Sequence, residues 1–427
     1  MSSPAPSVRI MHFADVHLGV ETLGKLNPET GLNTRLEDFT ATLNQAIDRA
    51  LDADVDLALF AGDAYKARDP NQTHQRSFAA ALKRLTDAGV PVVMLIGNHD
   101  IPNSRGRAHA LEIYGLLGGP SSGVQIIAKP DVLPVETRKG AVLVAGMPYL
   151  VRSRVVTQDE TKGKTVEEVA HLIRDKYAAY IADIARQVAD APEYIALLMG
   201  HFTVADARVG WQNFLLNANE PQVPVEAITL YSPGGVSPWD YVGMGHVHKH
   251  QEMNRGNEPP VIYPGSIDRI DFNERGEDKG FVVAEIKKGH TKWKHVALQT
   301  RRFVQVDADA GDSDDPTAAI LAELDRYPLL DSVVKVNYKV ASDKAMLVRT
   351  DEIRKRLSAA HVVVSLQRDM PQGEGVIRVD GMTEAMTPEA ALGKYMDAQP
   401  RLLTRRDELM TAARALFDQL AHEESLG

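Results

Sequence analysis

The sequence of 427 residues contains no cysteine. This absence excludes disulfides, zinc–thiolate sites and a cysteine nucleophile, and it fits a reducing compartment. Long apolar runs are also missing, since the longest, such as residues 90–96, have the length of a strand. Crossing a bilayer takes roughly 20 residues. Residues 1–7 are small and polar and lack the pattern of a secretory signal. We therefore expect a cytoplasmic protein without a membrane-spanning helix.

Positive charge is also in short supply. The chain has 48 Lys and Arg residues against 58 Asp and Glu, which gives a formal net charge of −10. A chain that binds nucleic acid on its own is usually basic. If the substrate were DNA, local basic patches, metal ions or a partner subunit would have to overcome the repulsion.

The order of apolar segments indicates a layered α/β protein with more than one domain. The length exceeds that of a typical single domain and points to two or three. In residues 1–300, short runs typical of strands alternate with amphipathic runs at helical spacing. Helices are expected at residues 36–51, 72–88 and 105–116. Strands alternating with helices favour an α/β core.

The pattern changes near Arg301, where a small β-α-β-α-β unit is expected to begin. A helical tail is expected from Thr387, an N-cap residue that is followed by proline. An apolar stripe on this tail fits either an intramolecular core or contact with a partner. The predicted domains are residues 1–300, 301–382 and 383–427.

Polar side chains follow several of the predicted strands directly. They occur in five short segments, which are Asp15-Val16-His17, Gly62-Asp63, Gly97-Asn98-His99-Asp100, Gly200-His201 and Gly245-His246-Val247-His248. Each alone has an ordinary explanation, because Gly, Asn and Asp favour turns and a histidine pair can face solvent. All five together, each after an apolar strand, favour one shared site, since layered α/β proteins build sites at strand ends.

The residue types in these segments suit divalent metal ions. Carboxylate, amide oxygen and imidazole are ligands for manganese, iron or zinc. The candidate ligands are Asp15, His17, Asp63, Asn98, His201, His246 and His248. Seven ligands are more than one ion usually takes from protein, and they fit two ions that share a carboxylate. Histidines outside the five segments are expected to be structural, with His12 packed in a strand and His250 at the surface or behind the ligands.

A pair of metal ions suits hydrolysis at phosphorus. Ions about 3.5–4 Å apart hold the attacking and leaving oxygens of an in-line displacement and lower the pKa of a bound water. His99, beside Asn98, is expected to stabilise the transition-state charge or to protonate the leaving alkoxide. Asp100 is expected to orient the His99 imidazole and to raise its pKa.

At these residues the sequence resembles the calcineurin-like metallophosphoesterase superfamily, whose five motifs it matches in order. Three further segments are similar to the SbcD nuclease-subunit family, namely residues 89–93, the stretch from Tyr263-Pro264-Gly265-Ser266 to Phe281, and Thr387-Pro388-Glu389-Ala390-Ala391 with Tyr395. The resemblance covers residues 8–300. It implies a four-layer α/β/β/α sandwich, followed by a small α+β capping domain and a helical C-terminal tail.

The resemblance also implies roles for individual residues. One metal would be held by Asp15, His17, Asp63 and His248, and the other by Asp63, Asn98, His201 and His246. Asp63 would bridge the two ions, which are most often manganese in the family, and His99 would be catalytic. Lys66 stands where some relatives carry a histidine; lysine binds phosphate as a point charge, so a DNA contact at this position is still expected.

The family cuts DNA as an exonuclease and endonuclease in DNA repair. It works as a homodimer within a heterotetramer whose other component is an SMC-like ATPase of the SbcC type, and it is associated with the nucleoid. The expected DNA contacts are Lys66, Arg68, Arg105, Arg107, Lys249 and Arg269, and Arg76 and Lys279 could extend this basic rim. Alternatively, these residues are scattered surface charges.

Two other functions remain open at the level of sequence. A small-molecule phosphodiesterase or phosphatase could use the same five motifs, although the segment from Tyr263, the capping unit and the tail favour the nuclease. A non-catalytic scaffold with a structural metal site is the other alternative. Such a scaffold would be favoured by a missing ligand or a missing catalytic histidine, and none is missing.

Overall fold

The computed structural model describes residues 3–102, 104, 106–208, 220–230, 236–369, 386–398 and 400–424. In these ranges, no helix is both long and apolar enough to cross a membrane. The chain divides into two compact units. The first comprises Met1–Val304, Leu329–Val333 and Ala360–Val364, and the second comprises Gln305–Pro328, Val334–Ala359 and Ser365–Gly427. The separate capping and tail domains expected from the sequence stay predictions.

One mixed sheet of the first unit contains the strands that begin the chain. Its members in the described residues are β1 (Val8–Phe13), β2 (Leu57–Phe60), β3 (Val92–Leu95), β4 (Val124–Ile127), β13 (Gly280–Lys287) and β14 (His290–Ala297). The spatial order is β14-β13-β1-β2-β3-β4. The four strands from β1 to β4 pair in parallel, whereas β13 and β14 add antiparallel pairs. The carboxyl ends of β1, β2 and β3 therefore lie at one edge.

A second mixed sheet of the same unit follows a similar plan. Its described members are β5 (Asp131–Thr137), β6 (Gly140–Met147), β7 (Ala196–His201), β10 (Tyr241–Gly245), β11 (Gln251–Glu252) and β12 (Val261–Tyr263). Their order is β11-β12-β10-β7-β6-β5. The pairs of β7 with β6 and with β10 are parallel, so β7 and β10 also end at a common edge. A short parallel pair is formed by β8 (Thr203–Val204) and β9 (Gln222–Val223).

An apolar layer fills the space between the two six-stranded sheets. Buried Ile10 and Leu59 of the first sheet share a cluster with Val144 and Leu197 of the second. Because side chains alternate along a strand, Met11 of β1 points to the opposite face, where it joins the cluster that includes helix residues. The outer face of the second sheet is likewise covered by a helix. The expected four-layer α/β/β/α sandwich is therefore confirmed.

Polar side chains define the starts of the three longest helices of this sandwich. These helices are α1 (Thr34–Asp52), α2 (Gln72–Asp87) and α6 (Val166–Ala189). Asn33 and Asn71 accept hydrogen bonds from backbone N–H groups at the starts of α1 and α2, and Thr165 forms a capping box with Glu168 at the start of α6. Their apolar faces then pack on the sheets.

The helix expected at residues 105–116 begins later than the periodicity indicated. The observed helix is α3 (Glu112–Ser122). Before it, Gly106 has a φ of 82°, and the Ala110 N–H donates to the carbonyl oxygen of Asp100. These contacts keep residues 106–111 in turns, so the predicted start is wrong. The remaining short helices in the described part of this unit are α4 (Arg152–Val155), α5 (Gln158–Thr161) and α7 (Val225–Thr229), with a 3₁₀ turn at Phe272–Glu274.

The second unit holds most of a small sheet and the described part of the tail. The sheet consists of β15 (Phe303–Asp309), β16 (Val333–Lys339) and β17 (Val362–Arg368), with α8 (Pro316–Leu324) and α9 (Thr350–Arg356) between them in the chain. The tail contains α10 (Pro388–Asp397) and α11 (Arg406–Glu424), joined by a 3₁₀ helix at Pro400–Arg405. Thr387 caps α10, as expected, by accepting from the N–H of Ala390.

Candidate metal centre

The five motifs come together at the carboxyl ends of strands from both sheets. Asp15, Asp63 and Asn98 follow β1, β2 and β3, whereas His201 ends β7 and His246 follows β10. The same loop carries His248 two residues further on. Since the two sheets are packed face to face, these loops meet over one small volume.

The first group of ligand atoms comes from Asp15, His17 and His248. Their potential donor atoms lie close enough together to hold one metal ion. Nε2 of His17 lies 3.2 Å from Nε2 of His248 and 3.9 Å from Oδ1 of Asp15. Two imidazole nitrogens that face each other at this distance need either a proton or a cation between them.

The second group comes from Asn98, His201 and His246. Oδ1 of Asn98 lies 3.1 Å from Nε2 of His201 and 3.0 Å from Nδ1 of His246. The carboxylate of Asp63 also belongs to this group, together with the two histidines. His201 is buried, and its other nitrogen faces the carbonyl oxygen of Ala61 at 2.6 Å, which fixes the ring.

Asp63 stands between the two groups. Its Oδ2 lies 3.6 Å from Nε2 of His17 and 3.4 Å from Nε2 of His201, so the same oxygen faces both. Its Oδ1 accepts a hydrogen bond from the backbone N–H of His99 at 2.8 Å. A Cβ at Gly97 would collide with this carboxylate, which explains the need for glycine there.

Several of these residues hold a backbone conformation that side chains rarely adopt. The φ angles of Asp15, His17, Asp63 and His246 are 52°, 46°, 61° and 90°. Such strain persists where the surroundings over-determine it. Here the N–H of Asp15 donates to the carbonyl of Gly62, and that of His17 donates to the carbonyl of Asp63. The loops are therefore held in place by each other.

The spacing and charge of these side chains fit divalent metals. Ligands that share one ion at about 2.1 Å lie roughly 3.0–3.4 Å apart at tetrahedral or octahedral angles. Four of the distances in these groups lie between 3.0 and 3.4 Å, and the distances from His17 to Asp15 and Asp63 are longer, at 3.9 and 3.6 Å. Burial raises the pKa of Asp15, and burial together with the Asp63 carboxylate raises the pKa of Asp100 to about 7. Bound cations would offset this concentration of buried negative charge.

Asp100 does not contact the His99 ring, so the expected orienting contact is wrong. Its buried carboxylate accepts hydrogen bonds from the backbone N–H groups of Asp63 at 2.8 Å, Ala64 at 3.1 Å and Gly97 at 2.8 Å. The reason is geometric, because the backbone turns after Gly97 and directs the carboxylate inwards. Asp100 thereby ties the loop after β2 to the loop after β3.

His99 is oriented by the backbone instead. Its Nδ1 lies 2.9 Å from the carbonyl oxygen of Lys66, to which Nδ1–H donates. The ring contacts that of His17 edge-on, with centroids 4.8 Å apart. His99 also lies near Asp63 in a third cluster of potential ligand atoms. The predicted catalytic histidine thus stands directly beside the two groups.

A cavity of about 390 Å³ opens over the site. Its lining includes His17, Asp63, Asn98, His99, His246 and His248, with Lys66, Tyr149, Arg152, Tyr177 and Glu220 around them. Of the expected DNA contacts, only Lys66 belongs to this lining among the described residues. Arg68 and Arg107 are exposed, whereas Arg105 lies outside the described residues.

Two expected DNA contacts lie elsewhere. Lys249 lines a different depression, of about 540 Å³, together with Arg208 and Arg255. Arg269 donates to the carbonyl oxygens of Glu277 and Arg301 and to the hydroxyl of Thr300. Protein acceptors thus engage its guanidinium, and the expected contact of Arg269 with DNA stays a prediction.

Two of the candidate histidine ligands are contacted by carboxylates. None of the five motifs predicted these carboxylates. Oε1 of Glu274 lies 2.9 Å from Nδ1 of His248, and Oε1 of Glu220 lies 2.7 Å from Nε2 of His246. Burial alone would raise the pKa of Glu274, but its hydrogen bond to His248 and the charge of Lys279 lower it to about 2. Neither glutamate belongs to a recognisable motif after a strand. Its position in the sequence therefore gives no indication that it contacts a candidate metal ligand.

The chain matches the calcineurin-like phosphoesterase family over residues 8–250. It therefore belongs to that family, whose members use divalent metals. The expected fold and the expected class of hydrolytic enzyme are confirmed by this match together with the geometry of the site.

Within the family, the chain is similar to nuclease subunits. It is 26% identical to the SbcD subunit of the nuclease SbcCD of Bacillus subtilis (strain 168), over 69% of this chain and 70% of that protein. It is 24% identical to the corresponding SbcD subunit of Rhodobacter capsulatus, over 96% and 93% respectively. The DNA double-strand break repair protein Mre11 of Haloferax volcanii is 27% identical, with 78% of this chain spanning 61% of that protein. The expected resemblance to SbcD is confirmed.

Proposed function

We propose that this chain is a manganese-dependent DNA exonuclease and endonuclease, the nuclease subunit of an SbcCD-type DNA repair complex. The observation that carries the proposal is the convergence of two ligand groups on one oxygen of Asp63, with His99 beside them. The similarity to SbcD and Mre11 proteins supports DNA as the substrate.

The ligand sets follow from the two groups of atoms. Asp15, His17 and His248 would hold one ion, Asn98, His201 and His246 the other, and Asp63 both. Two divalent ions there would neutralise charge on a phosphodiester and supply hydroxide near neutral pH. The choice of manganese is supported by the mixture of oxygen and imidazole ligands and by the absence of cysteine from the chain.

His99 is proposed as the residue that delivers a proton to the leaving alkoxide. The carbonyl oxygen of Lys66 accepts from Nδ1–H, so Nε2 is the nitrogen that exchanges a proton. A histidine in this position also stabilises negative charge as the bond to the leaving oxygen breaks. Lys66 itself lines the cavity and is proposed to contact a DNA phosphate as a point charge.

A homodimer of this chain, bound to an SMC-like ATPase of the SbcC type through its helical tail, is the proposed working form. The similarity to two SbcD subunits of SbcCD nucleases supports such an assembly. The net charge of −10 supports it too, because an acidic chain gains little from phosphate contacts on its own. Tight, salt-insensitive binding of the isolated chain to duplex DNA would contradict this dependence.

The test is incubation of the full chain with manganese and an end-labelled duplex oligonucleotide, beside the His99→Ala variant. The generic diester bis-p-nitrophenyl phosphate is assayed in parallel. We expect DNA degradation that requires manganese and disappears in the variant. Cleavage of the diester but not of DNA, even after the ATPase is added, would overturn the nuclease and favour a small-molecule phosphodiesterase. If the variant keeps both activities, His99 has no role in the mechanism.

A further inference from the structure

The two histidines of the His246-Val247-His248 segment share a feature that the other ligands lack. Each places one ring nitrogen among the ligand atoms and the other against a carboxylate. His248 uses Nε2 towards His17 and Nδ1 towards Glu274, whereas His246 uses Nδ1 towards Asn98 and Nε2 towards Glu220. Opposite nitrogens thus face the ligand groups in the two rings.

Glu274 is held rigidly for this contact. Its Oε2 accepts from the backbone N–H of Ile270 at 2.9 Å and forms an ion pair with Nζ of Lys279 at 2.7 Å. Its side chain is only 9% exposed, and that of Lys279 is fully buried. Lys279 also donates to the carbonyl oxygen of His248 at 3.1 Å. Lys279 therefore fixes the backbone of the histidine whose ring Glu274 contacts, and the sequence-based placement of Lys279 at a basic rim is wrong.

Glu277 offers a natural contrast. Its Oε2 lies 2.8 Å from the same Lys279 nitrogen, but the structure shows no contact between Glu277 and His248 in the part of the chain that it describes. The lysine is thus shared by two carboxylates, of which one touches a ligand and one does not. This difference separates a role in orienting the histidine from a role in neutralising buried charge.

Glu220 occupies the corresponding place beside the other ligand group. It lines the cavity, its side chain is 11% exposed, and its Oε1 lies 2.7 Å from Nε2 of His246, on the side of the ring away from Asn98, without the alignment of a hydrogen bond. A carboxylate on the outer nitrogen of a histidine ligand fixes the tautomer and the direction of the lone pair that faces the ion. It also makes the imidazole a stronger donor.

We propose that Glu274 and Glu220 are positioning residues, each dedicated to one half of the metal centre. Glu274 would set the affinity of the ion held by Asp15, His17 and His248, and Glu220 that of the ion held by Asn98, His201 and His246. This inference rests on the proposed two-metal function. Removal of such an outer partner typically lowers metal affinity about 10- to 100-fold.

The experiment is calorimetric titration of the metal-free full chain with manganese, without DNA. The variants are Glu274→Gln, Glu220→Gln and their combination, with Glu277→Gln as the matched control. The wild type and the control are expected to bind two ions alike. Each single variant should bind one ion about 10- to 100-fold more weakly, and the combination should weaken both. Thermal unfolding in EDTA checks that every variant is folded.

The outcomes separate this inference from the proposed function. If the wild type binds no manganese, the two-metal function itself fails. If the wild type binds two ions and the single glutamine variants match it, the function stands and the positioning role is overturned. If the combined variant still binds one ion at wild-type affinity, both glutamates serve the same ion and their dedication to separate halves is wrong. If Glu277→Gln weakens manganese binding as much as Glu274→Gln does, the effect of Glu274 comes from its negative charge beside Lys279 and not from its contact with His248.

Discussion

The floor of the cavity, formed by the candidate metal ligands with His99 and Asp100, differs from its rim, where Lys66 lies. On the floor, Asp63 is almost fully buried, and its two oxygens face two histidines and a backbone N–H. At the rim, Lys66 is exposed on a loop, whereas Arg107, Lys249 and Arg269 do not belong to the cavity lining. Metal ligands have to be placed to within a few tenths of an ångström, whereas a contact with a phosphate requires only a charge nearby. We therefore expect the chemistry to depend on short motifs, and contact with DNA to depend on residues spread along the chain.

Loss of the shared carboxylate should have the largest effect. In Asp63→Asn, the oxygen that faces both ligand groups loses its charge, so we expect manganese binding to fail and nuclease activity to fall to background. The loss should exceed the roughly 100-fold that an outer partner of a ligand is worth. Calorimetry and the DNA assay measure the two effects. Asp69→Asn, an exposed residue in the same loop, should behave like the wild type.

His99→Gln should separate the chemistry from metal binding on the same floor. We expect the rate of DNA cleavage to fall by about 10²- to 10⁴-fold, because proton transfer to the leaving group is lost. Binding of two manganese ions should remain, since His99 contacts the ligand groups without belonging to the proposed sets. Single-turnover rates and calorimetry test the pair of expectations. A variant that loses an ion together with its activity would make His99 a ligand.

Asp100→Asn tests whether the floor depends on its backbone supports. In the wild type, the Asp100 carboxylate accepts hydrogen bonds from three backbone N–H groups. The amide of the variant would turn its own N–H donors towards these groups. We expect a loss of about 1–3 kcal/mol in the free energy of unfolding, measured by urea titration in EDTA. Unchanged stability together with lost cleavage would restore a direct role for Asp100 in the chemistry.

The rim should show the smallest effect, and it should be electrostatic. Lys66→Ala is expected to weaken DNA binding and to lower the slope of log affinity against log salt concentration by about one, while the cleavage rate at saturation stays unchanged. Lys249→Ala is the matched control, because Lys249 lines a different depression. If the two substitutions change DNA affinity and its salt dependence equally, Lys66 acts as general surface charge and not through a specific contact at the cavity. These measurements require the ATPase-bound complex if the isolated chain binds DNA weakly.

The contrast between floor and rim also explains what the sequence could predict. The candidate ligands Asp15, Asp63 and His246 follow strands, and parallel strands of a packed pair of sheets bring their ends together by topology alone. The start of α3 was misplaced because Gly106 and a backbone contact with Asp100 override the helical periodicity.

Contacts that depend on tertiary structure left no signal in the sequence. Glu274 reaches His248 from the end of the 3₁₀ turn at Phe272–Glu274, 26 residues further along the chain. Asp100 lies beside His99 in the chain, yet its side chain points into the protein towards backbone N–H groups. Arg269 has the charge of a DNA contact, but its guanidinium donates to two carbonyl oxygens of the protein. The type of a residue and its neighbours in the chain do not reveal which groups the end of a long side chain contacts.

We propose that one oxygen of Asp63 joins two metal sites built from five strand ends. Crystals of the full chain grown with manganese, measured at an energy that gives anomalous scattering from manganese, test it most directly. We predict two anomalous peaks about 3.5–4 Å apart. One peak should lie among Asp15, His17 and His248, the other among Asn98, His201 and His246, and Asp63 should contact both. A single peak, or two peaks that do not share Asp63, would contradict the account.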